Sequence, residues 1–188
     1  MNITITNRVE HACPQGGAEW HALRADKFTA SEAPAMMGVH KTISRTELLR
    51  MKNTGVARDV SEWAQRFLFD KGREAEAAAR PIVESHLGDD LYPVTMTADV
   101  NGLPLLASMD GLTMLGDTGW ETKLLNQDLR ADVEAGTLDE HYTVQMEQQL
   151  MVSGADRIYF TTTDGTPECT FGMWYESNPA LRERIVAG

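Results

Sequence analysis

Residues 103–125 have the sequence LPLLASMDGLTMLGDTGWETKLL, which predicts two β-strands joined by a glycine-rich turn. Apolar residues dominate both halves of the stretch, yet the first half contains Asp110 and the second contains Glu121 and Lys123. Charged side chains are rarely placed in buried strands without partners. The pattern therefore indicates a functional site built on two neighbouring core strands.

The spacing of these charges suits a divalent cation. Side chains alternate along a strand, so Glu121 and Lys123 share one face while Thr122 points to the other. Pairing the two strands can bring Asp110 beside Glu121, and the Thr122 carbonyl adds a third oxygen of the kind that Mg²⁺ prefers. Lys123 could then hold or deprotonate a water molecule and stabilise charge on a phosphate. The alternative is an exposed strand pair and an ordinary turn aspartate.

The flanking sequence predicts the rest of the architecture. Asn101-Gly102 is a hairpin signal that pairs residues 92–100 with the first strand. A capping box places Ser44 at the N-cap of a helix that ends near Gly55. Further predictions are a helix over residues 61–87 that Pro81 kinks or divides, a helix over residues 142–151 that Gly154 ends, and a last hairpin of residues 157–163 and 168–175. This order predicts a mixed α/β fold with one sheet flanked by helices.

Length and charge limit the possible functions. A chain of 188 residues is expected to form one domain, residues 1–188. No signal peptide or transmembrane run is present, so we expect a cytoplasmic protein without membrane contact. The net charge of −11 argues against a simple basic nucleic-acid binder. An acidic protein that handles DNA needs a local cationic surface or a bound metal.

Two weaker signals lie outside this strand pair. Glu76 and Arg80 are one helical turn apart, a spacing that more often gives a surface ion pair than a site. Tyr142, Gln145 and Gln149 share one face of a predicted helix. Most such polar faces are solvated, although amides and a phenol also suit phosphate and sugar contacts.

Five ordered motifs carry a resemblance to a known family. They are Trp20-His21-x-Leu23-Arg24 with Thr29-Ala30-Ser31-Glu32, then Gly72-x-x-x-Glu76-x-x-Ala79-Arg80, Ser108-x-Asp110-Gly111, Glu121-x-Lys123 and Tyr142-x-x-Gln145. In this order the chain resembles the phage lambda-type alkaline exonucleases, the YqaJ-like viral recombinase nucleases of the PD-(D/E)xK superfamily. The match extends from Trp20 to about Trp174.

The resemblance implies a fold and an activity. The fold would be a restriction-endonuclease-like core, a central mixed β-sheet flanked by helices, in a single nuclease domain. The activity would be a Mg²⁺-dependent exonuclease, with Mn²⁺ as a possible substitute and a pair of ions in the site. It would degrade one strand of linear duplex DNA from a 5'-phosphorylated end to mononucleotides and leave a 3' overhang. The implied partners are two further copies, in a homotrimeric ring, and a single-strand annealing protein that acts in recombination.

The resemblance also implies roles for individual residues. Asp110, Glu121, the Thr122 carbonyl and Glu76 would hold the metal, and Lys123 would position or activate the attacking water. The residues that would hold the 5'-phosphate and the DNA are Arg24, Ser31, Ser108, Gln145 and Tyr142. One departure is Glu147, which stands where a second glutamine can occur and would put an acid near the DNA path.

Three other functions remain open from the sequence. A structure-specific or restriction-type endonuclease of the same fold would cut closed circular DNA. A catalytically silent scaffold that binds DNA ends would bind without cleavage. A cytosolic metal-binding protein unrelated to DNA would show no dependence on a 5'-phosphate.

Overall fold

The computed structural model describes residues 2–55 and 70–188. Its strands are β1 (Ile5–His11), β2 (Phe28–Thr29), β3 (Tyr92–Val100), β4 (Leu103–Leu112), β5 (Thr118–Leu124), β6 (Arg157–Thr163) and β7 (Thr170–Glu176). Its helices are α1 (Ala18–Ala25), α2 (Ala33–Met36), α3 (Arg45–Thr54), α4 (Lys71–Leu87), α5 (Gln127–Glu134), α6 (Glu140–Ser153) and α7 (Pro179–Ala187), with a 3₁₀ turn at Pro167–Cys169. Within these residues, none of the helices has the length and apolar character needed to cross a lipid bilayer.

The strands form one mixed sheet in the order β1-β3-β4-β5-β6-β7. Neighbours in this order are antiparallel except β5 and β6, which are parallel and are connected through α5 and α6. Short β2 adds a second parallel pairing, against β4. Helices pack against this sheet, so the predicted mixed α/β architecture with a central sheet flanked by helices is confirmed.

One edge of β4 is shared by two strands, and this arrangement opens the site. Strand β3 pairs along the whole of β4 from Leu103 to Leu112. On the opposite edge β2 pairs with Leu105 and Leu106, whereas β5 pairs only with Gly111 and Leu112. Between these two ladders, a side-chain amide takes the place of a strand, because Gln149 Nε2 donates to Ser108 O. The residues from Ser108 to Asp110 therefore border a gap in the sheet.

Helix α6 lies at the centre of the fold. All nine residues from Val144 to Val152 are buried, including the polar side chains among them. Its apolar residues supply the two largest core clusters, with Met146 and Leu150 against β4 and β6, and Met151 against β3 and β4. Buried polar groups must be hydrogen-bonded to be tolerated. The helix thus brings several polar side chains into the interior at fixed positions.

The local predictions vary in accuracy. The predicted N-cap at Ser44 is confirmed, since Ser44 Oγ accepts from Glu47 N, and Gly55 ends α3 at φ 67° as predicted. The Asn101-Gly102 hairpin is also confirmed, and both residues have positive φ. Helix α4 continues through Pro81 without dividing. The predicted helical residues 61–69 lie outside the described residues.

Helices α1, α5 and α7 were not predicted, although α5 and α7 each have a recognisable cap. Helix α5 begins after Asn126, whose side chain accepts from Leu129 N, and it separates the predicted strand at β5 from α6. Helix α7 begins at Asn178, followed by Pro179 at its first position, a typical helix start. Both helices are short, eight and nine residues. Their hydrophobic periodicity was too brief to mark them.

The expectation that Glu147 lies near a DNA path is wrong. Its carboxylate is fully buried and accepts hydrogen bonds from Tyr175 Oη at 2.8 Å and from Arg182 Nε at 2.7 Å. Ser177 Oγ and Asn178 N donate to the same group. These contacts fasten β7 and the start of α7 to α6. The residue is therefore structural, because the hydrogen bonds that the described residues make to its side chain all come from the C-terminal segment.

Replacing Glu147 with glutamine is expected to lower the free energy of unfolding by about 1–3 kcal/mol, because Arg182 would lose its charged partner in a buried setting. Urea denaturation of the purified protein measures this change. The control is Glu134→Gln, which removes an exposed ion pair with Arg130 and should cost about 0–1 kcal/mol. Equal effects for the two variants would contradict the structural role of Glu147.

Candidate active site

Asp110 and Glu121 meet where β4 and β5 begin to separate. The last paired residues of the two strands are Gly111 and Trp120, so Asp110 and Glu121 follow directly beyond the ladder. Asp110 Oδ2 accepts a hydrogen bond of 2.8 Å from Thr122 N. The predicted juxtaposition of the two carboxylates is thus found in the structure, and a backbone amide holds one of them.

Glu121 is the most completely bonded group of the site. Its side chain is 3% exposed, and its two oxygens receive three N–H donors. Gln145 Nε2 donates to Oε1 at 2.7 Å and Gln149 Nε2 donates to Oε2 at 2.6 Å, both from α6. Lys123, two residues along β5, also donates to Oε1. The amide face of α6 is therefore buried against the carboxylate rather than solvated.

Glu76 approaches the same carboxylates from α4. Its Oε1 accepts from Arg80 at 3.0 Å, as the i,i+4 spacing predicts. Arg80 also donates to Leu91 O and stacks over Trp120, with its guanidinium carbon 5.1 Å from the ring centroid. The pair is only about one quarter exposed. It is therefore part of the site's wall and not a solvated surface ion pair.

The three acids repel one another. Burial, followed by the negative charges of Glu121 and Glu76, holds the pKa of Asp110 well above its usual value. Burial and the charge of Glu121 likewise raise the pKa of Glu76, against the attraction of Arg80. For Lys123, burial lowers the pKa, but attraction to Glu121 and Asp110 outweighs it and the net shift is upward. Lys123 is therefore an ammonium ion at neutral pH.

The residues fit a hard divalent cation in charge and in ligand type. The carboxylates of the site give it excess negative charge, and the buried Gln149 Oε1 has no hydrogen-bond partner among the described residues. Carboxylate and amide oxygens are ligands that Mg²⁺ prefers. Within residues 2–55 and 70–188, however, no three Asp, Glu, His or Cys side chains are gathered closely enough to hold a metal. Glu76 and Glu121 instead bond to Arg80 and Lys123, so metal binding requires them to exchange partners.

A second group of side chains surrounds Arg24, and we call it the arginine cluster (Trp20, Arg24, Thr29, Ser31 and Ser108). The Arg24 guanidinium lies 4.3 Å from the Trp20 ring centroid and donates to Ser31 Oγ at 3.2 Å and Thr29 Oγ1 at 3.3 Å. Trp20 Nε1 donates to Ser108 Oγ at 2.8 Å. Three of the predicted phosphate ligands, Arg24, Ser31 and Ser108, are thus connected through one indole ring.

The two remaining predicted DNA ligands lie on the carboxylate side. Gln145 bonds to Glu121 as described. The Tyr142 ring packs against Phe160 and His141, and Lys41 Nζ lies 5.6 Å from its centroid. Tyr142 also contributes to the electrostatic environment of Lys123. The structure therefore places these two residues next to the carboxylates and not in the arginine cluster.

Comparison with known proteins identifies the family. The YqaJ-like viral recombinase domain matches residues 19–156, which include every candidate site residue named above. The chain belongs to the YqaJ-like viral recombinase family. No curated protein sequence matches it significantly.

Solved structures resemble this YqaJ-like chain over most of its length. The alkaline exonuclease LHK-Exo of Laribacter hongkongensis is 24% identical, with a TM-score of 0.73 over 91% of this chain and 88% of that one. LHK-Exo in complex with dAMP gives 25% identity and a TM-score of 0.72 over the same shares of both chains. A phage-related exonuclease of Haemophilus somnus 129PT is 14% identical, with a TM-score of 0.59 over 88% and 91%. The likeness confirms the predicted PD-(D/E)xK fold.

Two contributors to the YqaJ-like site were noticed in the sequence but not assigned to it. Gln149 bonds directly to Glu121, and Arg80 bonds directly to Glu76. Each is one helical turn from a residue that was assigned, Gln145 and Glu76 respectively. The i,i+4 spacing was therefore the available signal, since it puts both members of a pair on the same helix face.

His141 makes the folded state sensitive to acid. Burial, then the neighbouring His40, lowers its pKa to about 4, and Lys123 and Lys41 act in the same direction against Asp139. The folded protein therefore favours the neutral ring, whereas the unfolded chain takes up a proton near pH 6.5. The contribution of the neutral His141 ring to the free energy of unfolding is fully present above pH 6.5 and is lost as the pH falls towards 4.

His141→Gln is expected to reduce this acid-side loss of stability by about 1 kcal/mol, a value discounted because the ring is half-buried. Thermal unfolding between pH 4 and 7 measures it. The control is His21→Gln, a change on exposed α1. An unchanged pH profile in His141→Gln would contradict this assignment.

Proposed function

We propose that this protein is a Mg²⁺-dependent nuclease, a 5'-to-3' exonuclease that degrades one strand of linear double-stranded DNA to mononucleotides and leaves a 3' overhang. The proposal is supported by membership in the YqaJ-like family and by the fold shared with proteins described as exonucleases. One of these, LHK-Exo, is described in complex with dAMP, a mononucleotide.

One observation supports the proposed 5'-to-3' direction of digestion: the arginine cluster and the carboxylates share strand β4. Ser108 of the cluster and Asp110 of the acidic site are two residues apart, or about 7 Å along a strand. Gln149 spans the two, since its amide donates both to Ser108 O and to Glu121. A 5'-terminal phosphate held by Arg24, Ser31 and Ser108 would place the next phosphodiester beside Asp110 and Glu121.

The chain's own residues supply binding and charge stabilisation. A divalent cation held by Asp110, Glu121 and the Thr122 carbonyl would supply Lewis-acid activation of water and neutralisation of the phosphate. Lys123, as an ammonium ion, would orient the attacking water and stabilise negative charge that develops on the phosphate. The amides of Gln145 and Gln149 hold Glu121 in place. Glu76 would complete the metal site once Arg80 releases it.

The assembly is also part of the proposal. A single nuclease domain would form a homotrimeric ring around DNA and act beside a single-strand annealing protein. A ring would keep the enzyme on its substrate between cleavages. Sedimentation of the native protein tests this assembly, and a monomer at micromolar concentration would contradict it.

The activity is tested with a linear duplex labelled separately at its 5' and 3' ends. Digestion is followed with and without Mg²⁺, with 5'-phosphate or 5'-hydroxyl ends, and beside a closed circle. Metal-dependent release of 5'-labelled mononucleotides, faster with the phosphate and absent on the circle, is the expected result. Nicking of the circle would indicate an endonuclease, and binding without cleavage would indicate a scaffold.

A further inference from the structure

Lys52 uses all of its hydrogen-bond donors on the segment that carries Arg24. It lies in the last turn of α3, and its ammonium nitrogen is 3.0 Å from Arg24 O, 2.8 Å from Lys27 O and 2.8 Å from Glu32 Oε2. An ammonium group has three N–H donors, so one side chain is fully committed to three acceptors. Two of these acceptors are backbone carbonyls at the end of α1.

Glu32 and Thr29 connect Lys52 to the Arg24 side chain, and we call the contacts among these four residues the circuit. The Glu32 carboxylate that bonds to Lys52 also accepts from Thr29 Oγ1 at 2.7 Å and from Thr29 N at 3.4 Å. Thr29 Oγ1 in turn accepts from the Arg24 guanidinium at 3.3 Å. Lys52 therefore contacts Arg24 at its backbone directly and at its side chain through Glu32 and Thr29.

The circuit contacts Arg24 both at its backbone carbonyl and at its guanidinium group. The carbonyl of Arg24 lies in the last turn of α1, where lysine side chains commonly bond to carbonyl groups, and it accepts from Lys52 in addition to Lys27 N at 3.5 Å. Beyond that turn, residues 26–31 must return so that Ser31 Oγ reaches the guanidinium at 3.2 Å. Lys52 bonds to Arg24 before this return, to Lys27 within it and to Glu32 after it.

This arrangement fixes the position of Arg24 and Ser31 and contributes little to the free energy of folding. The side chains of Lys52 and Glu32 are each 24% exposed. Ion pairs with this access to water contribute little to the free energy of folding. Bonds from one cation to two carbonyls and a carboxylate nevertheless restrict the backbone that orients Arg24 and Ser31. A small displacement of a substrate-holding group can change rates strongly.

We propose that Lys52 is a positioning residue that fixes Arg24 and Ser31 in the geometry that holds the 5'-terminal phosphate. This inference rests on the proposed function, because it assigns Lys52 to the phosphate-holding part of that site. Lys52 acts through Arg24 and does not touch the DNA.

The test is the preference for phosphorylated ends in Lys52→Met, which keeps the length of the side chain and removes its donors. The ratio of kcat/KM for 5'-phosphate over 5'-hydroxyl duplexes is expected to fall about tenfold, through a higher KM for the phosphorylated end. Activity on 5'-hydroxyl ends should stay near wild type. The control Arg130→Met, at an exposed position of α5, should leave both values unchanged.

A second variant covers a failure of Lys52→Met to fold. Glu32→Gln keeps the shape of the side chain and the bonds from Lys52 to the carbonyls, but it weakens the link to Thr29. Its phosphate preference is expected to fall about threefold, an intermediate loss. A wild-type ratio in either folded variant, or equal losses on both ends, would overturn the role of Lys52. A wild-type enzyme without phosphate preference would instead overturn the 5'-phosphate recognition in the proposed function.

Discussion

Replacing Lys123 with alanine is expected to lower kcat on linear duplex DNA by about 10²–10³-fold, the usual cost of removing one group that stabilises charge in a transition state. Lys123 is an ammonium ion because attraction to Glu121 and Asp110 raises its pKa despite burial. Its side chain remains 31% exposed, so its charge is accessible to a substrate. Single-turnover digestion of a 5'-labelled duplex measures the loss.

The same variant should remain folded and should still bind DNA ends. Glu121 keeps its two amide donors, Gln145 and Gln149, when Lys123 is removed. The arginine cluster, which would hold the terminal phosphate, makes no contact with Lys123 among the hydrogen bonds of the described residues. Arg130→Ala provides a matched loss of one exposed cation. Undiminished turnover in Lys123→Ala would remove its assigned role.

The sequence predicted those parts of the site that depend on neighbouring strands. Asp110 and Glu121 are brought together by a short connection between β4 and β5, and strand periodicity relates Glu121 to Lys123. Both relations are local, so a hairpin signal and an alternating pattern were sufficient to predict them. The cap of α3 at Ser44 was predictable for the same reason.

The parts that were missed depend on contacts between distant segments. Short β2 pairs in parallel with β4, and two residues of alternation give no signal for such a pairing. Without that pairing, nothing in the sequence indicated that two strands, β2 and β5, lie along the same edge of β4. The role of Glu147 was also misjudged, because its partners Tyr175 and Arg182 come from a later segment. Position in a motif could not distinguish a substrate-facing acid from a buried structural one.

Replacing Asp110 with asparagine is expected to abolish turnover and at the same time to raise the melting temperature measured in the presence of a chelator. Burial and the charges of Glu121 and Glu76 raise the pKa of Asp110 well above its unfolded value. An ionised carboxylate at this position therefore opposes folding. This penalty is fully present above the raised folded-state pKa and decreases as the pH falls from there towards the ordinary pKa of 3.8. Asparagine carries no charge, yet its oxygen can still accept the hydrogen bond from Thr122 N.

The rise in melting temperature per kcal/mol of added stability depends on the size of the domain. For a domain of 150–250 residues, each kcal/mol of stability shifts the melting temperature by about 2–4 °C. Asp156→Asn, at an exposed position on the loop before β6, should change it by less than about 2 °C, since surface substitutions are usually within ±0.5 kcal/mol. A melting temperature of Asp110→Asn in chelator at or below that of the wild type would contradict the electrostatic argument.

Addition of Mg²⁺ distinguishes the proposed ligand role from simple repulsion. A ligand that binds only the folded state stabilises it by RT ln(1 + L/Kd), where L is the ligand concentration, an amount that increases with the logarithm of L once L exceeds Kd. The wild-type melting temperature should therefore rise with Mg²⁺, whereas that of Asp110→Asn should rise much less, because a carboxylate ligand has been lost. Equal responses of the two proteins would show that the cation binds elsewhere. If wild type alone responds, the carboxylate that destabilises the metal-free fold is the one that the metal requires.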